Sequence, residues 1–161
     1  MSLDARSQLL IENLCNLVSK GKVDYEIMRL WHQDLLPLLP RSQILGQHRE
    51  CCALRGMGWG RKHSTVDYVF TYNVKRLVDY HYLVLKEMER RGYEPDRLWY
   101  CPEYRGKKAM PWPSDWLCDQ ESTADSHIYL EHDDAYRDEC VDNLTKKGVK
   151  LYGYNFFDGI E

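Results

Sequence analysis

The stretch "NVKRLVDYHYLVLKEMERRG", residues 73–92, carries the strongest structural signal in the chain. Val74, Leu77, Val78, His81, Val84, Leu85 and Met88 recur at helical spacing and make one unbroken apolar stripe. Arg90 and Arg91 suit the negative end of a helix dipole, and Gly92 suits the left-handed residue that stops the helix. The spacing predicts a helix over residues 73–91.

On the N-terminal side lies "RGMGWGRKHS", residues 55–64, with Gly56, Gly58 and Gly60 in quick succession, and this reads as a loop. Before it, a second helix is expected from Arg41 to about Leu54, starting just after Pro37 and Pro40, which block a helix through "LLPLLPRSQ". On the C-terminal side, residues 95–119 hold Pro95, Pro102, Pro111 and Pro113 together with Trp99, Trp112 and Trp116, an ordered aromatic-rich loop region. A last helix is expected over 126–147, capped by Ser126 and stopped by Gly148, with Tyr129, His132, Tyr136, Cys140 and Leu144 along one face. No run alternates cleanly as a strand would. The class is all-α: a single compact domain of three main helices with long aromatic-rich loops. Residues 3–19 form a further amphipathic helix ahead of it, built on Leu10, Leu14 and Leu17.

A chain of 161 residues with 43% hydrophobic content supplies one real core. No apolar run approaches the length of a membrane span, and no secretory signal is visible, so the expected location is cytoplasmic. Six cysteines, at 15, 51, 52, 101, 118 and 140, therefore read as reduced thiols. They lack the paired short spacings of a zinc site, and His48 with Cys51 is a half-site alone, so no metal is expected. The net charge of −3 is unevenly spread: residues 28–119 carry +4 and residues 120–161 carry −6. A basic face in the middle of the chain is compatible with that distribution, as is ordinary solvated charge.

The helix "RSQILGQHRECCAL" places Gln43, Gln47 and Glu50 on one face and Leu45, His48 and Cys52 on another, with Arg49 about a quarter-turn from Glu50. A carboxylate among arginines and glutamines can act as a poised base or as an electrostatic partner. A surface glutamate with an arginine neighbour has the same appearance. Arg41, Arg49, Arg55, Arg61 and Lys62 bracket the glycine-rich loop, whose amides could approach a phosphate closely. Trp59 suits either a wedge against an opened base step or a lid over the core.

Gln47-His48-Arg49-Glu50, counted from Met28, together with "EMERRGY" and "PEYRG", resembles the pyrimidine-dimer DNA glycosylase family, the endonuclease V type of UV-damage enzyme. The resemblance covers roughly residues 28–110, and more loosely the tail near Tyr152 and Tyr154. It implies an all-α, cofactor-free glycosylase with AP lyase activity on double-stranded damaged DNA. The implied nucleophile is the α-amine of the mature N-terminus, Met28 or, after unusual processing, Arg29. Glu50 would support the chemistry at C1′. Arg49 would contact DNA near the lesion, with Arg41, His48, Arg55, Trp59, Arg61 and Lys62 as further DNA-binding candidates.

The α-amine suits the task because its pKa of about 7.7–8.0 leaves roughly a tenth of it neutral at pH 7. A lysine would need burial to compete, and Lys62 is the candidate. Arg29 departs from the family pattern, which has a small residue there and so permits removal of the initiator methionine. Residues 1–27 are a second departure: either a leader from a misassigned start, leaving 28–161 as the catalytic domain, or a genuine extension. A non-catalytic nucleic-acid- or protein-binding module on the same fold is the alternative reading.

Overall fold

The computed structural model describes residues 29–62, 64–118 and 127–151. The expected N-terminal helix, Met28, Ser126 and the aromatic tail fall outside these residues. Among them the regular structure is helical, with no strand: α1 (Arg41–Arg55), α2 (Val74–Arg90) and α3 (Asp134–Lys146), joined by short 3₁₀ turns. The all-α class is therefore as read from the sequence.

α2 is the central helix. Asn73 caps it by accepting from the Lys75 N–H at 2.8 Å, and Gly92 follows it at φ +85°. All seven stripe residues are buried, and Tyr80 joins them at 0% exposure. The stripe packs on Leu30, Trp31, Leu35, Leu36 and Leu39 from the N-terminal segment and on Ile44, Cys51 and Leu54 from α1. Tyr129, Cys140 and Leu144 close the same core from the other side.

Two expectations need correction. The segment holding Pro37 is not free of helix: Gln33–Leu38 forms a 3₁₀ turn with Pro37 inside it, capped by His32, whose Nδ1 accepts from the Asp34 N–H at 3.1 Å. So short a turn loses little from one missing N–H donor. The last helix begins at Asp134 rather than near 126. Asp133 accepts from the Tyr136 N–H at 2.8 Å and starts the helix there, so Tyr129 and His132 reach the core from the turns ahead of it. Gly148, at φ +73°, ends it as expected.

The loop over 95–118 is held to α1 by two arginines. Arg55, buried at 0% exposure, donates to the carbonyls of Trp99, Cys101 and Tyr104 at 2.8–2.9 Å. Arg105 reaches back and donates to the carbonyls of Arg55 and Gly56 at 2.8 and 2.9 Å, satisfying acceptors left over at the end of α1.

Candidate active site around Glu50

Gln47 and Glu50 lie three residues apart on α1 and so face the same way. The Gln47 amide is fully engaged. Its Nε2 donates to Glu50 Oε2 at 2.7 Å and to the Arg29 carbonyl at 3.2 Å, while its Oε1 accepts from the Trp31 N–H at 2.7 Å. That last bond settles which end of the amide is oxygen. The Tyr80 hydroxyl lies 2.6 Å from the Trp31 carbonyl and 2.9 Å from Gln47 Oε1. A phenol has one proton, and the shorter contact to Trp31 is where it is donated.

The backbone from Arg29 to Trp31 is thus attached to the same amide that holds Glu50. Its other side is held by α3. The Tyr136 hydroxyl donates to the Leu30 carbonyl at 2.5 Å, and Arg29 Nη1 donates to Glu139 Oε1 at 2.8 Å. The Arg29 guanidinium also lies over the Tyr136 ring, 5.8 Å from its centre.

Glu50 is half-buried, and burial holds its carboxyl well above the ordinary carboxylate range. The Gln47 hydrogen bond and the charges of Lys147 and Arg49 oppose that rise without cancelling it. A carboxyl so placed can hold a proton or release it at the edge of the site.

The other sequence candidates divide. Arg41, Arg61 and Lys62 are exposed and Arg49 is half-exposed. Arg41 stacks its guanidinium 5.7 Å from the centre of Tyr93. Arg55 and His48 are interior. His48 Nδ1 lies 2.8 Å from His81 Nε2, and Arg55 Nη1 lies 3.0 Å from His81 Nδ1. Arginine can only donate, so His81 accepts at Nδ1 and donates from Nε2 to His48. Neither Arg55 nor His48 faces solvent where a phosphate could meet it. Burial pushes His48 down to about 4, with Arg49 and Arg55 adding to the effect.

Trp59 packs edge-to-face on Phe70 and Trp112, at 5.0 and 5.6 Å between ring centres, and so sits as a lid on the core. Lys62 lacks the burial that use as an amine nucleophile requires. The glycine-rich loop turns its amides inward: Gly56 donates to Cys52 O, Gly58 to Ala53 O, Trp59 to Gly56 O and Arg61 to Gly58 O. Its place at the negative end of α1 also disfavours a phosphate. Gly58 sits so close that a Cβ there would meet the Ala53 carbonyl oxygen at 2.6 Å.

Two groups bring metal-type donors within 4.8 Å of one another: His48, Cys52 and His81; and His32, Asp34 and His127. In the first, Arg55 fixes the proton of His81 on the nitrogen that faces His48, which removes that lone pair from a cation. In the second, His32 Nδ1 accepts from the Asp34 N–H, and the Asp34 carboxylate lies 3.3 Å from His127 Nε2. Both donor sets already have protein partners. The described cysteines, 51, 52, 101, 118 and 140, are free thiols.

Tyr80, Tyr136 and Glu139 were not picked out as site residues from sequence. Tyr80 sits within an apolar helix, and Glu139 meets a partner 110 positions away, so only Gln47, one turn before Glu50, had a local signal.

Residues 28–101 match the pyrimidine dimer DNA glycosylase family. The match spans a little under half of the chain, begins at Met28 and includes all of α1 and α2. It bears out the resemblance read from Gln47-His48-Arg49-Glu50, and it supports DNA glycosylase activity on a DNA substrate. "PEYRG" lies just beyond the family match. Comparison with curated proteins and with solved structures gave no match. No helix among the described residues is long and apolar enough to cross a membrane.

Proposed function

We propose that the chain excises pyrimidine dimers from double-stranded DNA and then nicks the strand as an AP lyase, with the α-amine of a chain beginning at Met28 as nucleophile. The observation that supports this most is the Gln47 amide, which hydrogen-bonds the Arg29 carbonyl and the Glu50 carboxylate at once. The residue ahead of Arg29 therefore leaves the fold beside Glu50.

In this reading the neutral amine attacks C1′ and the N-glycosidic bond breaks, its electron pair leaving with the base. Loss of a proton from nitrogen and opening of the sugar give the imine. Removal of a C2′ proton then expels the 3′ phosphate by β-elimination. Glu50 serves twice. Its charge steadies the iminium cation, and its raised proton affinity lets it take and return protons near C1′. Arg49, with Arg41, Arg61 and Lys62, meets backbone phosphates. Residues 1–27 are then a segment that must be absent, or displaced, for the amine to be free.

Borohydride trapping on duplex DNA with one abasic site tests the reading, run on chains starting at Met1 and at Met28. A covalent complex is expected mainly for the shorter chain, and its loss is expected in Glu50→Gln. No complex from the Met28 chain would overturn the assignment and leave a non-catalytic binding module on this fold.

A further inference from the structure

The helix α3 lies outside the family-matched residues 28–101, yet it grips the N-terminal segment from the side opposite Gln47. Residues 29–31 belong to no helix and are fastened chiefly by side chains. Gln47 takes the Arg29 carbonyl and the Trp31 N–H, Tyr80 takes the Trp31 carbonyl, and Tyr136 takes the Leu30 carbonyl. Glu139 takes the Arg29 side chain, which is 9% exposed and covered by the Tyr136 ring, while Glu139 itself is 56% exposed. An ion pair with one partner so open to water contributes little to stability. Its effect is on geometry: it fixes the direction in which residue 29 presents its backbone.

We infer that Tyr136 and Glu139 are positioning residues, which clamp Leu30 and Arg29 so that the α-amine one residue upstream is held against Glu50. The inference rests on the imine reading above. It follows from a physical need. An amine on a chain end has only one covalent tether, and an attack that depends on orientation loses rate when that end wanders. α1 supplies one wall of the clamp and α3 the other. The same pair explains Arg29, the residue that departs from the family pattern: a long cationic side chain there reaches an anchor that a small residue would not reach. It also assigns a task to one charge of the acidic C-terminal third.

The test uses the chain from Met28 and the variants Tyr136→Phe and Glu139→Gln, each of which removes one polar contact and keeps the shape. Single-turnover trapping on the abasic duplex is measured against DNA concentration. The clamp predicts that the maximal rate falls about tenfold in each variant, while the half-saturating DNA concentration stays within about twofold of the parent. Glu139→Asp is expected to recover part of the rate. Parent-like maximal rates, or a change in half-saturation alone, would overturn the clamp.

If the parent itself does not trap, the imine reading fails, and the clamp is then judged without DNA by the acetylation rate of the Met28 α-amine. In both variants that rate is expected to move toward that of a free Met-Arg-Leu peptide. Rates identical to the parent would sink the inference.

Discussion

Glu50 shows how a functional carboxyl opposes the stability of its own fold. Its pKa is raised by burial, so its proton is bound more tightly in the folded chain than in the unfolded one. The sign follows directly. Its contribution is fully present below the unfolded value and is lost as pH rises through the folded one, which leaves a penalty at neutral pH. Glu50→Gln removes the charge, and its side-chain oxygen can still accept from Gln47 Nε2. The variant is expected to melt higher than the parent at pH 7.5, by roughly 2–4 °C for each kcal/mol relieved, with the gain absent at pH 4. Thermal scans at the two pH values check this, and an equal gain at both would refute it.

Arg55 makes the opposite case. Its guanidinium holds three loop carbonyls and His81, and burial lowers it to about 10 without neutralising it at pH 7. Lysine keeps the charge but cannot span those acceptors. Arg55→Lys is expected to cost about 2–4 kcal/mol in urea unfolding, read as a lower midpoint at unchanged slope. A midpoint within error of the parent would show that the loop carbonyls do not depend on this side chain.

Among the elements, α2 was legible in full because an apolar stripe at helical spacing is a local property of the sequence. α1 was legible in extent but not in what it buries. Gln47, His48 and Arg55 are buried on it, and a polar buried face carries no hydrophobic pattern to read. The start of α3 was misread for a related reason: Tyr129 and His132 keep the spacing of the stripe, but the Asp133 cap fixes the helix start after them. Gln47 beside Glu50 could be read from a three-residue spacing, whereas Tyr136 and Glu139 join the site only through tertiary packing.

The exposed cations carry an element-level prediction of their own. Arg61 and Lys62 follow the turn that ends α1 and face solvent, while Arg55 does not. Arg61→Ala with Lys62→Ala should weaken binding to undamaged duplex and reduce its salt slope by about two phosphate contacts. A slope unchanged in the double variant would remove these two residues from the DNA face.

Buried histidines on both sides of α2 make the fold sensitive to acid as one unit. His48 and His81 lie between α1 and α2. His132 lies against Tyr80 of α2, Tyr68 and Tyr136, and its Nε2 is 2.7 Å from the Tyr68 hydroxyl. Burial lowers His48 to about 4 and His132 to about 3, and pushes His81 well below its ordinary value. A depressed histidine contributes stability that is present above its unfolded pKa of about 6.5 and is lost as pH falls toward the folded value. Between about pH 6.5 and 4, unfolding should therefore take up protons at these three rings, and the free energy of unfolding should fall steeply. Glu50 acts in the other direction across the acidic range but is a single group, so the histidines prevail. Urea titrations at steps from pH 7.5 to 4 measure the slope directly. His132→Asn, which cannot take up a proton, should flatten it by close to one proton even where it lowers stability at pH 7.5. A slope the same in parent and variant would mean that His132 is already reached by solvent protons in the folded chain.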